Sequence, residues 1–399
     1  ILTLEDCLRI GIDNNLSLEG KRKEIQRSKY GVSENRSKLL PQINAIAGYS
    51  NNFDPPVSVT DGSSYGVPYN ITQTLQHSAN AGLEMQMPLF NQTLYASMSI
   101  AKVMEEISRL SYGKAREDVI LQISKMYYLG QVTAEQIMLI KANITRLEEL
   151  RDITQAFFDN GMSMEVDLKR VNINLENLKV QYDNAQAMMK QQLNMLKYIM
   201  DYPAEKEIAL TPVNTDSITT VALTGLSENI YELQLSQSQV QLAERQKKII
   251  TNGYIPSLSL TGSWRYAAYT DKGYHWFHSG PSNQWFRSYG VGLTLRIPIF
   301  DGLDKTYKIK KAMIDIENKR LAWEDARKNL QTQYLNAVND LMNNQRNFKK
   351  QKDNYLLAED VYAVTSDRYR EGIASMTEVL QDEMQMSEAQ NNYISAYYN

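Results

Sequence analysis

From 289 to 300 the chain reads YGVGLTLRIPIF, with Tyr289, Val291, Leu293, Leu295, Ile297 and Ile299 apolar and Gly290, Gly292, Thr294, Arg296 and Pro298 between them. A period of two residues belongs to a strand with one apolar and one polar face. The same design stands 210 positions earlier, where Ala79, Ala81, Leu83, Met85, Met87 and Leu89 alternate with Asn80, Gly82, Glu84, Gln86 and Pro88. Both runs close on Pro, an aliphatic residue and Phe, at 88–90 and 298–300, so the chain is a duplication. Each run has an upstream companion. One carries Ile43, Ala45, Ala47 and Tyr49 on one side; the other sets Leu258, Leu260, Gly262, Trp264, Tyr266 and Ala268 against Ser257, Ser259, Thr261, Ser263 and Arg265. Strands are therefore predicted at 43–53, 79–89, 257–268 and 289–299. Glu84 and Arg296 stand on polar faces of otherwise apolar strands, which excludes an ordinary core there unless the charges are paired.

Between the strands a helical period takes over. Residues 3–39 read as helix, opening at Thr3 with Asp6 in an approximate capping box and breaking at Asn14 and Asn15. Leu18, Ile25, Val32 and Leu39 then recur every seven residues, as in a coiled-coil seam, until Pro41. Residues 54–77, rich in Pro, Gly, Ser and Asn, are predicted as a long loop. From 91 to 157 there is no proline, and one helix of 67 residues, about 100 Å long, is predicted. It breaks at Asp159, Asn160 and Gly161, where glycine allows a left-handed turn.

The next helix, 164–201, has two seams: Leu168, Leu175, Tyr182, Met189 and Leu196, and Val171, Leu178, Ala185, Gln192 and Ile199. An irregular stretch at 202–224 interrupts it, and helix resumes over 226–254. Residues 270–285 are predicted as an aromatic loop with Trp276, Phe277 and Trp285. A second 67-residue helix follows over 302–368, with seams Ile309, Ile316, Trp323, Leu330 and Tyr334, Leu341, Phe348, Tyr355, Tyr362. It breaks at 369–372, with Gly372 lying 211 positions after Gly161, and a last helix from Ser375 carries Val379, Met386 and Tyr393. The pieces 164–201 and 226–254 together match the long helix before them in length, so the chain leaves the strands, turns at Gly161 and returns. The predicted organisation is a first repeat over 1–201, an irregular equatorial linker over 202–224 and a second repeat over 225–399.

Composition narrows the function. At 399 residues the chain holds two or three compact domains or one elongated repeat structure. A net charge of -3 with 22% charged residues gives no bulk signal for nucleic acid. Tyrosine (25) outnumbers phenylalanine (8), which suits surfaces half apolar and half wet. Cys7 is the one cysteine, so neither an intrachain disulfide nor a cysteine metal site is expected. No run of 18 apolar residues marks a transmembrane helix, and any secretory leader is expected to have been removed or left out before Ile1. His275 and His278 have metal-ligand spacing, but only Asp271 stands near, which favours a plain surface loop. Met188, Met189, Met195 and Met200 read as seam filler. No nucleophile–base set or phosphate loop occurs in one segment, so neither an enzyme nor a metal or other cofactor is expected.

Four strands of bilayer-crossing length cannot close a barrel, and open edges cannot face lipid. Closure must come from several chains. Two copies give eight strands and an interior filled by side chains; three give twelve and a lumen. Glu84, Gln86, Arg265 and Arg296 then line that lumen, while the apolar face meets lipid. Tyr49, Trp264, Tyr266, Tyr289 and the loop tryptophans form an aromatic girdle. The competing reading is a soluble coiled-coil scaffold with a small sheet.

The paired Pro-aliphatic-Phe strands, the entries at Leu40-Pro41 and Ile255-Pro256, the two glycine turns and the opening 2–8 resemble the TolC-type outer-membrane factors along essentially the whole chain. The resemblance implies an α+β membrane protein built as a homotrimer. A twelve-stranded β-barrel would sit in the outer membrane of a Gram-negative bacterium, and a long α-helical barrel would extend into the periplasm. It also implies a passive export conduit that docks onto a periplasmic adaptor (membrane fusion) protein and an inner-membrane RND or ABC pump. The turns at Gly161 and Gly372 would form the gated tip, held closed with the help of Tyr369 and Asp167. Glu378 would line the constriction. Gln381 departs from a second acidic position, for which Asp382 and Glu383 are substitutes, and Ala374 stands where the family often has Arg.

Overall fold

The computed structural model describes residues 1–73, 75–212, 227, 229–270 and 285–399. Its seven α-helices among these are α1 (Leu4–Asn14), α2 (Leu16–Ser37), α3 (Gln92–Asp159), α4 (Glu165–Met200), α5 (Tyr231–Asn252), α6 (Asp304–Arg370) and α7 (Met376–Tyr398). The strands are β1 (Gln42–Asn51), β2 (Val57–Asp61), β3 (Tyr69–Gln73), β4 (His77–Phe90), β5 (Ser257–Thr270) and β6 (Trp285–Arg296). Two compact units result. One holds Ile1–Glu24, Arg109–Leu235 and Glu324–Asn399; the other holds Ile25–Ser108 and Ser236–Trp323.

In the first unit the helices bury their seams. All five members of the Val171 series, Val171, Leu178, Ala185, Gln192 and Ile199, are buried, as are Val379, Met386 and Tyr393 of α7. One core joins Leu147 and Leu150 of α3 to Val171, Leu175 and Leu178 of α4, Tyr362 and Tyr369 of α6, and Met376, Val379 and Met386 of α7. A second gathers Cys7, Leu18, Val119, Ile123, Tyr127, Leu196, Ile199 and Met200. Here Thr3 and Asp6 form the expected capping box of α1. Asn15 separates α1 from α2, its Nδ2 donating to the Ile199 carbonyl at 2.8 Å and its Oδ1 accepting from the Leu18 amide. A short parallel bridge joins Leu2 to Leu210.

In the second unit β1, β4, β5 and β6 form one antiparallel sheet in that order. Four expectations are corrected by the structure. The stretch 54–77 is not a plain loop, because β2 and β3 pair within it, with Val59 opposite Ile71. Apolar residues at alternate positions make a ribbon of even a Gly- and Pro-rich stretch. Trp285 belongs to β6 rather than to the loop before it, and β6 stops at Arg296, two residues before Pro298, which has no N–H to give a ladder. The helix expected from 226 is described from Tyr231. Trp276, Phe277, His275, His278 and Asp271 lie outside the described residues.

Candidate functional site

The two glycine turns close identically. Gly161 has φ 72° and Gly372 φ 75°, the left-handed region that an L side chain enters only with strain. At the first, the Met162 amide donates to the Phe157 carbonyl at 2.7 Å and the Gly161 amide to Phe158 at 2.9 Å. At the second, Ile373 donates to Arg368 at 2.8 Å and Gly372 to Tyr369 at 2.9 Å. Both are Schellman caps, which satisfy the carbonyls orphaned at a helix end.

Around these turns lies a crevice of about 560 Å³ lined by Phe157, Met164, Asp167, Tyr369, Gly372 and Ser375 among others. Tyr369 and Asp167 thus border one space, though they do not bond to each other. Tyr369 is 5% exposed, its ring centroid 5.6 Å from that of Phe157, and its hydroxyl donates to Thr154 Oγ1 at 3.4 Å. Asp167 accepts from Arg170 at 3.4 Å, and the same guanidinium donates to Thr377 Oγ1 at 3.5 Å. An arginine on α4 therefore ties α4 to α7, although Ala374 stands where the family often has Arg and nothing in the sequence near Arg170 marks the tie. The second turn is tied back to α3 by an ion pair from Arg370 to Glu149 at 3.5 Å.

Glu378 closes a capping box on α7. Its Oε2 accepts from the Ser375 amide at 2.8 Å, and its own amide donates to Ser375 Oγ at 3.3 Å. The Ser375 amide holds the Glu378 carboxyl below the usual glutamate range. Ser-x-x-Glu ahead of an apolar run was the signal that could have found this cap. Gln381 is exposed, Asp382 half-buried and Glu383 buried.

On the sheet, register sorts the two faces. Cross-strand rows run Tyr49–Ala79–Ala268–Trp285, Ala47–Ala81–Tyr266–Arg287, Ala45–Leu83–Trp264–Tyr289 and Ile43–Met85–Gly262–Val291. Of the predicted girdle, Tyr49, Trp264, Tyr266, Tyr289 and Trp285 therefore fall in three consecutive rows, at the end of β4 away from α3. Trp264 and Tyr266 meet edge to face at 5.5 Å, and Tyr49 stacks on His77 and bonds its Nδ1 at 2.9 Å. On the other face Glu84 and Arg265 form an ion pair across β4 and β5, beside Gln86, Thr261 and Ser263. Arg296 stands opposite Ser257 at the end of β6, apart from that pair. The apolar face is open: Tyr289 is 78% and Val291 80% exposed.

Among the described residues no helix is long and apolar enough to cross a membrane, and no group of three His, Cys, Asp or Glu is placed to hold a metal.

Residues 10–200 and 226–399 match the family "Outer membrane efflux protein". Outer membrane protein TolC of Vibrio cholerae serotype O1 is 21% identical over 383 residues, covering 92% of this chain and 81% of TolC. The fold is that of the channel CusC (TM-score 0.81, 16% identity, 99% of this chain and 88% of CusC). It is likewise that of the open-state MtrE outer membrane channel of Neisseria gonorrhoeae (TM-score 0.77, 18% identity, 99% and 85%). A duplicated chain with a two-faced sheet and paired helical turns, matched over nearly its whole length, belongs to the outer membrane efflux protein family and is an efflux channel of the outer membrane.

Proposed function

We propose that three copies of the chain close a twelve-stranded barrel in the outer membrane, whose water-filled lumen continues to a constriction at the Gly161 and Gly372 turns. There the trimer receives cargo from an inner-membrane pump of the RND or ABC type through a periplasmic adaptor. The observation that carries this reading is the sheet. Among the described residues β1 and β6 each pair on one side only, and the rows of one face from Tyr49 to Val291 are apolar or aromatic on all four strands except at Arg287, beside Tyr266. Unpaired strand edges have no hydrogen-bonding partner in lipid, so β6 of one copy must meet β1 of the next. With four alternating strands that junction is antiparallel like the rest. Strands of 10 to 14 residues suffice to cross a bilayer.

Glu84, Gln86, Arg265 and Arg296 face the lumen in this arrangement, and Tyr49, Trp264, Tyr266 and Tyr289 sit at one lipid–water boundary. The helices carry a matching signal. In the first unit Val166, Ile173 and Val180 of α4, and Leu335, Met342 and Leu356 of α6, recur at multiples of seven and are exposed. Tyr307, Ile314 and Leu321 of α6 do the same in the second unit. A heptad stripe left open in one chain is a seam for another copy. Tyr369, Asp167 and Glu378 sit at or next to the turns, Gln381 follows Glu378 about one helical turn further along α7, and the Tyr369 and Arg170 contacts hold the tip helices together.

Disulfide trapping tests the closure. Cysteines are placed at Ala45→Cys or Ala47→Cys on β1 together with Val291→Cys on β6. The native Cys7 does not compete, because burial pushes its thiol up to about 11. Oxidation in membranes is expected to yield covalent dimers and trimers and nothing larger. An absence of interchain bands at every pairing, or a ladder running past three, contradicts the closed trimer.

A further inference from the structure

A polar layer lies inside the turn-proximal core of the first unit. Asn143 and Arg146 enter it from α3, Tyr355, Glu359 and Tyr362 from α6, and Glu383 and Gln390 from α7. Asn143 donates to Gln390 at 2.6 Å. Arg146 also donates to Asn143, and its Nη1 lies 3.5 Å from Glu359 Oε1, to which the Tyr355 hydroxyl donates at 3.1 Å. Two atoms of opposite character stay buried without a hydrogen bond among the described residues: Nε of Arg146 and Oε1 of Glu383. Glu383 is 5% exposed. The Arg146 charge acts on Glu383, yet its ion pair here is with Glu359. One cation thus pairs with a carboxylate of α6 while its charge also acts on a buried carboxylate of α7 that has no bond of its own among the described residues. A buried carboxylate left without a partner is a poor arrangement when ionised and a tolerable one when protonated.

We propose that Arg146 is a two-position latch: Glu359 of α6 holds it in the conformation seen here, and Glu383 of α7 takes it over when α7 shifts against α6. The exchange breaks one ion pair and makes another, with no covalent step. Protonated Glu383 favours the conformation seen here, and ionised Glu383 favours the exchanged one.

The direction with pH follows from burial. Desolvation raises the Glu383 carboxyl above its ordinary range, and Arg146 opposes that rise. A raised value in the packed form means that this packing has its full strength below the ordinary carboxylate range and loses it as pH climbs through the raised value.

The other groups in this core are accounted for element by element. From α6, Tyr362 feels Glu383 and Arg370, and its hydroxyl is raised chiefly by burial; Arg370 is paired with Glu149 of α3 and Asp367. From α4, Val171, Leu175 and Leu178 are apolar, and Arg170 is engaged by Asp167 and Thr377. On α7, Glu378 serves the cap, Asp382 is half-buried and Glu388 exposed.

An effect on channel opening rests on the function proposed above; the exchange itself does not. The test uses nitroxide labels at Val364→Cys on α6 and Met384→Cys on α7, both exposed positions. The full chain is measured in detergent, diluted with unlabelled protein so that distances within one chain are read. Two distance populations are expected, with a ratio that shifts about tenfold or more between pH 5 and pH 8, as one titrating carboxylate allows. Glu383→Gln, which is isosteric and uncharged, is expected to hold the first population at both pH values. Glu359→Gln is expected to favour the second at pH 8. A single distance at all pH values in the wild type, or a Glu383→Gln variant that keeps the wild-type shift, overturns the latch. Planar-bilayer recordings of the same proteins report separately on the channel: loss of conductance there counts against the conduit and leaves the distances to decide the latch.

Discussion

Tyr369 makes two kinds of contact that substitution separates. Tyr369→Phe removes the bond to Thr154 and keeps the ring against Phe157, which is expected to weaken the turn-proximal core by about 1 kcal/mol. Tyr369→Ala also empties the ring's place and is expected to weaken it by roughly 3–5 kcal/mol. Amide exchange of α3 and α7 near the turns reads both, and equal effects would mean that the ring contributes nothing. Glu378 belongs at this scale too. Its carboxyl is held below the ordinary 4.5 by the Ser375 amide, so the cap is at full strength above that value and fails as pH falls through the lowered one. Protection of the first turn of α7 is therefore expected to persist in mildly acidic buffer and to drop only in stronger acid. In Glu378→Gln it is expected not to vary with pH, and a variant that tracks the wild type would exclude the cap as its source. The turn glycines were legible in the sequence, because only glycine takes a positive φ without strain. The partners of Tyr369 and Arg170 were not. Thr154 lies 215 residues from Tyr369 and Thr377 lies 207 from Arg170, so only folding brings them together.

At the scale of the element, α4 and α6 carry information twice, once on buried positions and once on an exposed stripe. Ile173 and Leu175, two residues apart on α4, separate the two: Leu175 is 2% exposed and Ile173 61%. Leu175→Asp buries an unpaired carboxylate in the turn-proximal core and is expected to disrupt helix packing within the chain. Ile173→Asp is expected to leave the helical circular dichroism unchanged and to shift the protein from trimer to monomer. Sedimentation in detergent distinguishes these outcomes, and a fully trimeric Ile173→Asp would show that the stripe is not a seam. The long helices were legible because a proline-free run with a sustained period has no other stable form in water. Their ends were less so: α3 runs to Asp159 and α6 to Arg370, each two residues past the predicted stop, because the Schellman caps extend the last turn. The β2–β3 ribbon escaped the reading because five-residue strands among glycines and prolines give a weak alternation.

For the whole molecule, the duplication was the most legible feature, since two copies of the same strand and turn 210 and 211 positions apart leave few alternative folds. The register that gathers Tyr49, Trp264, Tyr266 and Tyr289 into adjoining rows follows from the same alternation, because a slip of one residue would turn every side chain to the opposite face. What one chain's sequence does not carry is the number of copies. That number follows from the open edges of the sheet and the width needed for a lumen, both properties of an assembly. The most direct measurement is therefore the mass of the detergent-extracted complex with its bound detergent subtracted, by native mass spectrometry or light scattering. Three times the 45.7 kDa chain, held together until the complex is denatured, is the expected result. A single chain that stays monodisperse in plain buffer after the detergent is removed would contradict the closed barrel and the conduit built on it.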